Sequence, residues 1–249
     1  MKNKNKRILF SIITVSLNQP KITNNFRSLK KQTCRNFEHI VIDGGSTDKT
    51  LDIIKKNSKN ISFWQSKKDK GIYDAINIGI KKSKGQIIGI LNADDIYYKN
   101  ALKIVKKYFQ NKKIDFLFGT VKKDRVLQGF WPNKISWKFN IYPSHSGGFF
   151  ITKKAQKKIG YYSLKFKYSS DRDLIYRMIV RYKLNGVCTK KSEVLSKFDT
   201  TGISSKVGFF ERLLEETRIR INNNQNILFV FLLIIAHTIN KFLNLIIRK

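Results

Sequence analysis

The chain has 249 residues, 41% of them apolar and 12% aromatic, which is enough to fill a sizeable core and excludes a disordered segment. Lys and Arg number 50 against 17 Asp and Glu, a formal charge of +33, with the lysines scattered among Asn and Ile rather than gathered in one block. That pattern reads as compositional bias, so it argues against dedicated nucleic-acid binding but stays compatible with an anionic membrane surface. The two cysteines, Cys34 and Cys188, lie far apart and exclude a disulfide framework and a C-x-x-C metal site.

The start, Met1–Arg7, is basic, and Ile8–Leu17 could pass for a leader peptide. Ser11, Thr14 and Ser16 interrupt that run and no small-residue cleavage site follows, so a buried first strand over Ile8–Val15 is expected. Pro20 suits a first helical turn, and Ile22, Phe26 and Leu29 repeat on one helix face. A second strand, Glu38–Ile42, stops in Asp43-Gly44-Gly45-Ser46-Thr47-Asp48, where Ser46 or Thr47 is expected to cap a helix that turns Leu51 and Ile54 inward. A weaker strand near Ile61–Trp64 leads through the loop Lys67–Gly71 to a helix over Tyr73–Ser83. Ile87–Leu91 is the clearest buried strand and ends in Asn92-Ala93-Asp94-Asp95. A helix carrying Ala101, Ile104, Val105 and Tyr108 follows, then a strand over Asp115–Phe118. The pattern loosens through Trp131, Trp137 and Tyr142 before a helix from about Asp171 to Tyr182. Strands alternating with helices predict βαβ units and a mainly parallel sheet.

From Gly208 the character changes. Phe210, Leu213, Leu214, Thr217 and Ile221 form an amphipathic helix, Asn222–Asn226 break it, and Ile227–Ala236 is continuously apolar. A membrane span needs about 20 mostly apolar residues, and His237, Asn240, Lys241 and Asn244 interrupt this one. A helix lying in the membrane interface is expected, with Lys241, Arg248 and Lys249 near the headgroups. The competing reading is a helix packed on the body or in a dimer.

In an open parallel sheet, ligands bind beyond the carboxyl ends of the strands. Three polar clusters fall at such ends: Thr14–Asn18, Asp43–Asp48 and Asn92–Asp95. Asp94 and Asp95 directly after a hydrophobic strand suit a divalent cation, since Mg²⁺ and Mn²⁺ take carboxylate oxygens and share their sphere with phosphates. The competing reading makes the pair an acidic N-terminus for the helix before Ala101.

Taken together, Asp43-Gly-Gly-Ser-Thr-Asp-Lys-Thr50, Asp69-Lys-Gly-Ile-Tyr-Asp-Ala-Ile-Asn77 and Leu91-Asn-Ala-Asp-Asp95 resemble family 2 glycosyltransferases in kind, order and spacing. Thr14-Val-Ser-Leu-Asn18 and Ser169-Ser-Asp-Arg-Asp-Leu174 agree, and the likeness covers roughly residues 8–204. Within the family the chain is most similar to the small enzymes of colanic acid, O-antigen and capsule assembly. The resemblance implies an α/β GT-A fold with a mainly parallel central sheet flanked by helices. It places a catalytic domain at 1–205, with a nucleotide-binding half near 8–120 and an acceptor half near 121–205, ahead of a helical tail at 206–249. It also implies a nucleoside-diphosphate sugar donor, UDP by family habit, a Mn²⁺ or Mg²⁺ ion, and inversion by direct displacement.

Carried over by position, the resemblance sets Thr14, Val15 and Ser16 under the nucleoside, with Asn18, Gly45, Ser46 and Asn92 also on the nucleotide-sugar side. Asp43 would accept from the base, Asp94 would bind the ribose region and Asp95 the metal. Asp69, Lys70 and Gly71 would border the donor pocket. The general base falls at Asp171, with Asp173 as the alternative, because Ser170 stands where the family pattern has glutamate. His145 would touch phosphate or acceptor, whereas Arg177 reads as a solvated helix residue and Trp131 as core. The processive-synthase signature and a multi-span region are missing, which favours single addition to a glycan or glycolipid at the cytoplasmic face of the membrane, without specific nucleic acid. A basic membrane- or nucleic-acid-binding module, or an idle scaffold on the same fold, remains the alternative.

Overall fold

The computed structural model describes residues 8–111, 113–137, 146–198 and 208–246. The chain runs β1 (Phe10–Ser16), α1 (Ile22–Lys30), β2 (Phe37–Asp43), α2 (Thr50–Asn57), β3 (Phe63–Ser66), α3 (Ile72–Lys82) and β4 (Ile87–Ile90). It continues as β5 (Ile96–Tyr97), α4 (Ala101–Asn111), β6 (Phe116–Phe118), β7 (Thr120–Lys122), β8 (Val126–Leu127), β9 (Phe149–Thr152) and α5 (Lys153–Ile159). Last come α6 (Ser170–Tyr176), β10 (Gly186–Cys188), β11 (Val194–Lys197), α7 (Phe209–Asn222) and α8 (Ile227–Ile246).

Seven strands form one sheet in the order β10-β6-β9-β4-β1-β2-β3, and β5-β11-β7-β8 form a smaller one. In the large sheet β9 alone runs antiparallel to its neighbours, and the other pairings are parallel. Side chains alternate in β1: Phe10 and Ile12 enter the core with Leu29, Leu102 and Val105, while Ile13 and Val15 enter the core with Ile76, Ile80 and Leu174. Both faces are therefore covered, which is why the strands read as continuous apolar runs rather than as alternating ones.

Two details of the local reading are corrected. Neither Ser46 nor Thr47 caps α2, because the helix begins only at Thr50 and the Ser46 hydroxyl turns back to Asp43. Asp48 Oδ1 accepts from Thr50 N at 2.9 Å in their place. The helix over Asp171–Tyr182 is regular only to Tyr176 and continues as a π turn over Arg177–Arg181.

The C-terminal helices differ from each other. α7 buries Leu213, Glu216, Ile219 and Arg220 against the body, and Ile219 belongs to the larger core. α8 packs on α7 but buries Val230 while leaving most of its apolar residues exposed. Among the described residues no helix is long and apolar enough to cross a membrane.

Candidate active site

Register brings the strand-end polar groups together. Ser16 pairs with Asp43, and Asp43 with Ser66, so three neighbouring strands end in one polar row. On the other side of β1 the ladder continues past β4, through Leu91 N to Ile13 O at 2.9 Å and Ala93 N to Val15 O at 3.2 Å. The Asn92–Asp95 turn is thereby held beside the end of β1, at the center of the sheet edge. A strand, β5, separates Asp95 from α4, so the two aspartates are not the acidic first turn of that helix.

Asp43 is fully buried and acts as the anchor of its loop. Its Oδ2 accepts from Gly45 N (3.1 Å), Ser46 N (2.8 Å) and Ser66 Oγ (2.6 Å), and its Oδ1 from the Ser46 hydroxyl. Gly45 sits at φ +89°, where L side chains are strained. The β1–α1 loop is stitched to this one, with Asn18 N donating to Ser46 Oγ at 2.8 Å and Asn18 Oδ1 accepting from Thr47 N at 2.9 Å. Asn18 itself adopts φ +48°, a left-handed conformation that asparagine tolerates better than most residues.

The Thr14 hydroxyl points into the layer, 3.3 Å from Asn25 Oδ1 and 3.0 Å from His39 Nε2. Burial drives the His39 pKa down to about 3, so the ring is a neutral member of this network. Asn25 is completely buried on α1, and its amide donates toward the carbonyls of Asn92 (2.8 Å), Leu91 and Asp95 (both 3.3 Å). One side chain therefore braces the whole turn that presents the acidic pair. Nothing in the motif pattern singles out Asn25 or His39, and the same is true of Ser66.

Asp69 and Gly71 open α3. Asp69 Oδ1 accepts from Gly71 N at 2.8 Å, and a side chain added at Gly44 would come within 2.9 Å of Asp69 Oδ2. The two glycine-bearing motifs are thus in contact. The Asp69 pKa is raised, mainly by burial and then by the charges of Asp74 and Asp43, against the opposing bond from Gly71. Gly71 takes φ +110° and ψ 178°, a region essentially reserved for glycine. Lys70 is exposed and its N–H donates to Asp74 at 3.1 Å.

Polar atoms line the same edge. Ser16 Oγ and Asn92 Oδ1 are buried without a hydrogen-bond partner among the described residues, while Asn92 Nδ2 donates to Ser146 Oγ at 3.0 Å. Asp95 is 1% exposed, and its charge adds to burial in raising the Tyr97 pKa. The donor set suits Mg²⁺ or Mn²⁺, which keep waters and phosphate oxygens and need one or two protein carboxylates. Among the described residues no group of three or more His, Cys, Asp or Glu side chains forms a cage of its own.

The two candidate bases in α6 differ sharply. Asp173 is buried, bridged to Arg177 at 2.9 Å and bonded to Asn223 Nδ2 at 3.2 Å. Asp171 is half-buried, and its Oδ1 accepts from Arg172 N at 2.9 Å and from the Tyr73 hydroxyl at 3.2 Å. Arg177 is structural rather than solvated, since it also donates to the carbonyls of Ile159 and Tyr161. Trp131 is 44% exposed and not a core residue. Behind α6 lies a charged cluster the sequence pattern did not flag. Glu216 bonds Arg172 at 3.1 Å and Arg220 at 3.2 Å, and Arg220 donates to Ile135 O, Ser136 O and Gln225 Oε1. His145 lies outside the described residues.

The sequence profile of glycosyl transferase family 2 matches residues 11–172. The chain belongs to this family. The family 2 chain is 30% identical over 213 residues to an uncharacterized glycosyltransferase of Mycobacterium tuberculosis (strain CDC 1551 / Oshkosh), covering 78% of this chain and 76% of that one. It is 36% identical over 125 residues to an uncharacterized glycosyltransferase of Rickettsia bellii (strain RML369-C), covering 48% of this chain but only 18% of the longer protein. In fold it resembles S. aureus TarS 1–349 in complex with UDP-GlcNAc, with TM-score 0.67 at 17% identity over 91% of this chain and 70% of that one. The longer TarS chain is covered to 43%. A mannosyltransferase from Pyrobaculum calidifontis in complex with GDP-Man and Mn²⁺ gives TM-score 0.63 at 15% identity, over 88% of this chain and 64% of that one. At such identities the likeness is one of fold, and it confirms the GT-A architecture expected for this family member.

Proposed function

We propose that this chain transfers a hexose or N-acetylhexosamine from a nucleoside-diphosphate sugar, a UDP-sugar in the first instance, to a glycan or lipid-linked acceptor with inversion at the anomeric carbon. The reading is carried by the single sheet edge at which Ser16, Asp43 and the Asn92–Asp95 turn converge, in a chain whose family and fold are those of sugar transferases. The β1 end (Thr14, Val15, Ser16, Asn18) and the Asp43–Ser46 loop border the nucleoside, Asn92 and Asp94 the ribose, and Asp69–Gly71 the sugar side. Asp95 would hold a Mn²⁺ or Mg²⁺, which would supply charge stabilization to the departing diphosphate. Residues 8–120 form the nucleotide half and 121–205 the acceptor half, with His145 at the phosphate or acceptor.

The base is Asp171. Its rival Asp173 is buried and committed to Arg177 and Asn223, whereas Asp171 is a partly exposed residue. The acceptor hydroxyl oxygen forms the new bond to the anomeric carbon as the carbon–phosphate oxygen bond breaks. The electron pair leaves with the nucleoside diphosphate, and the hydroxyl proton passes to Asp171.

The acceptor is met at the cytoplasmic face of a membrane. Along α8, Leu228, Phe231, Leu232, Ile235, Ile239, Phe242 and Leu243 repeat on one helical face, each at least 41% exposed. A surface so apolar on a chain of charge +33 favors an anionic bilayer over a second equally charged copy. Arg248 and Lys249, expected near the headgroups, lie outside the described residues. Co-sedimentation with vesicles containing phosphatidylglycerol, lost on Phe231→Asp/Ile235→Asp substitution, is the expected result; equal recovery in the supernatant for both proteins would remove this part of the reading.

The test of the chemistry is turnover across a panel of UDP-, GDP- and dTDP-sugars with lipid extract as acceptor, with Mn²⁺ or with EDTA. One donor should turn over only with metal, and Asp95→Ala and Asp171→Asn should both abolish transfer. Failure of every donor to bind or react with metal present would instead support the scaffold reading.

A further inference from the structure

We infer that the second half of the Asp69–Asn77 motif serves the base rather than the donor: Tyr73 and Asn77 are positioning residues for Asp171. The inference rests on Asp171 being the base. Tyr73 lies one residue into α3, and its hydroxyl is 3.2 Å from Asp171 Oδ1 and 3.1 Å from the Tyr168 carbonyl, across more than ninety residues of chain. Its ring stacks on Tyr162 with centroids 5.5 Å apart and planes 15° from parallel. One helical turn further, the buried Asn77 makes a two-point clamp on the same segment, donating to Tyr162 O at 2.8 Å and accepting from Tyr162 N at 2.9 Å.

Residues one turn apart on a helix share a face, so α3 grips the Tyr162–Asp171 segment at both its start and its end. The same helix begins at Gly71, where Asp69 touches the Gly44 loop. The two ends of one short motif therefore face the two substrates: Asp69 and Gly71 toward the donor loops, Tyr73 and Asn77 toward the base. This fixes the distance between base and donor through a rigid helix rather than through the loops between them.

The Tyr73 hydroxyl from α3 and the Arg172 N–H touch the Asp171 carboxylate, while Tyr162 from the preceding segment and Glu216 from α7 lie close enough to feel its charge. Tyr162 and Glu216 both sense its charge, which raises their pKa values behind the larger effect of burial. Tyr73 donates a side-chain hydrogen bond toward the carboxylate and shares that one proton with the Tyr168 carbonyl. Losing that hydroxyl releases both the carboxylate and the backbone just before α6 from α3.

Tyr73→Phe in the full chain tests this, since it keeps the ring and its stack on Tyr162 and removes the hydroxyl alone. The expected result is a fall in kcat of about tenfold or more, as for a bond to a charged group, with the KM for the donor unchanged. Binding of UDP with Mn²⁺ should stay within about twofold, because the donor side is untouched. Asn77→Ala should also lower kcat with nucleotide binding retained. An unchanged kcat in Tyr73→Phe, or a fall matched by an equal loss of donor binding, alongside an inactive Asp171→Asn, would overturn the positioning role and leave the base assignment standing. Full transfer by Asp171→Asn would overturn the base assignment, and the positioning role with it.

Discussion

Asn25→Asp is the most demanding test of how the acidic turn is supported. The substitution keeps the side chain's shape and the oxygen that faces Thr14, and removes both amide protons from a site with no solvent exposure. Three carbonyls, those of Leu91, Asn92 and Asp95, lose their shared donor. Two protons can satisfy two good bonds, so the loss is about 2–4 kcal/mol once the penalty for stranded acceptors is included. Ionization adds to this. Burial against carbonyl oxygens raises the folded pKa of the new carboxyl above its unfolded value of about 3.9. Such a group destabilizes as pH rises through the interval between the two values, by about 1.4 kcal/mol per unit. The deficit relative to wild type should therefore be larger at pH 7 than at pH 4.5, approaching the total stability of many domains. Urea unfolding of both proteins at the two pH values measures it. A deficit below about 1 kcal/mol that does not change with pH would refute the claim that Asn25 braces this turn.

Two further outcomes follow from single contacts. Gly71→Ala meets no atom within 4 Å, so its cost is purely that of forcing alanine into φ +110°, about 1–3 kcal/mol. A thermal melt should show it, and an unchanged midpoint would mean that the α3 start relaxes freely. Arg220→Met removes a fully buried guanidinium, leaves the buried Glu216 with Arg172 alone and strands the carbonyl of Ile135. Breaking a buried pair in this way costs about 3–5 kcal/mol, and a loss under 1 kcal/mol in denaturant titration would contradict the buried network.

The strands of the N-terminal half were legible because burial on both faces leaves runs such as Ile87–Leu91 apolar throughout, and the acidic turns were legible because they interrupt those runs abruptly. The antiparallel β9 was not. Its four residues follow a stretch without regular periodicity, and strand direction leaves no mark on so short a run. Thr14, expected under the nucleoside, bonds inward through its hydroxyl, since a motif records which residues are needed and not which way they point. Asn25 and His39 escaped notice because a single polar residue on a buried face looks like noise in a periodic pattern. Glu216 and Arg220 carried a usable signal: they fall on the same face of α7 as Leu213, where charged residues are rarely buried unless paired.

The support for α6 comes from beyond the segment that the family profile spans. Glu216 and Arg220 of α7 anchor Arg172 and the Ile135–Ser136 backbone, and Gln225 ties Tyr176 to Ser136. The part of the chain that looks most like an appendage is therefore a buttress. A protein trimmed to residues 1–205 would retain every motif and both candidate bases, but would expose the apolar underside of α6 and leave Arg172 facing an empty groove. Chimeras that exchange catalytic cores between relatives have their natural junction after Gln225, where α7 has ended and α8 has not begun.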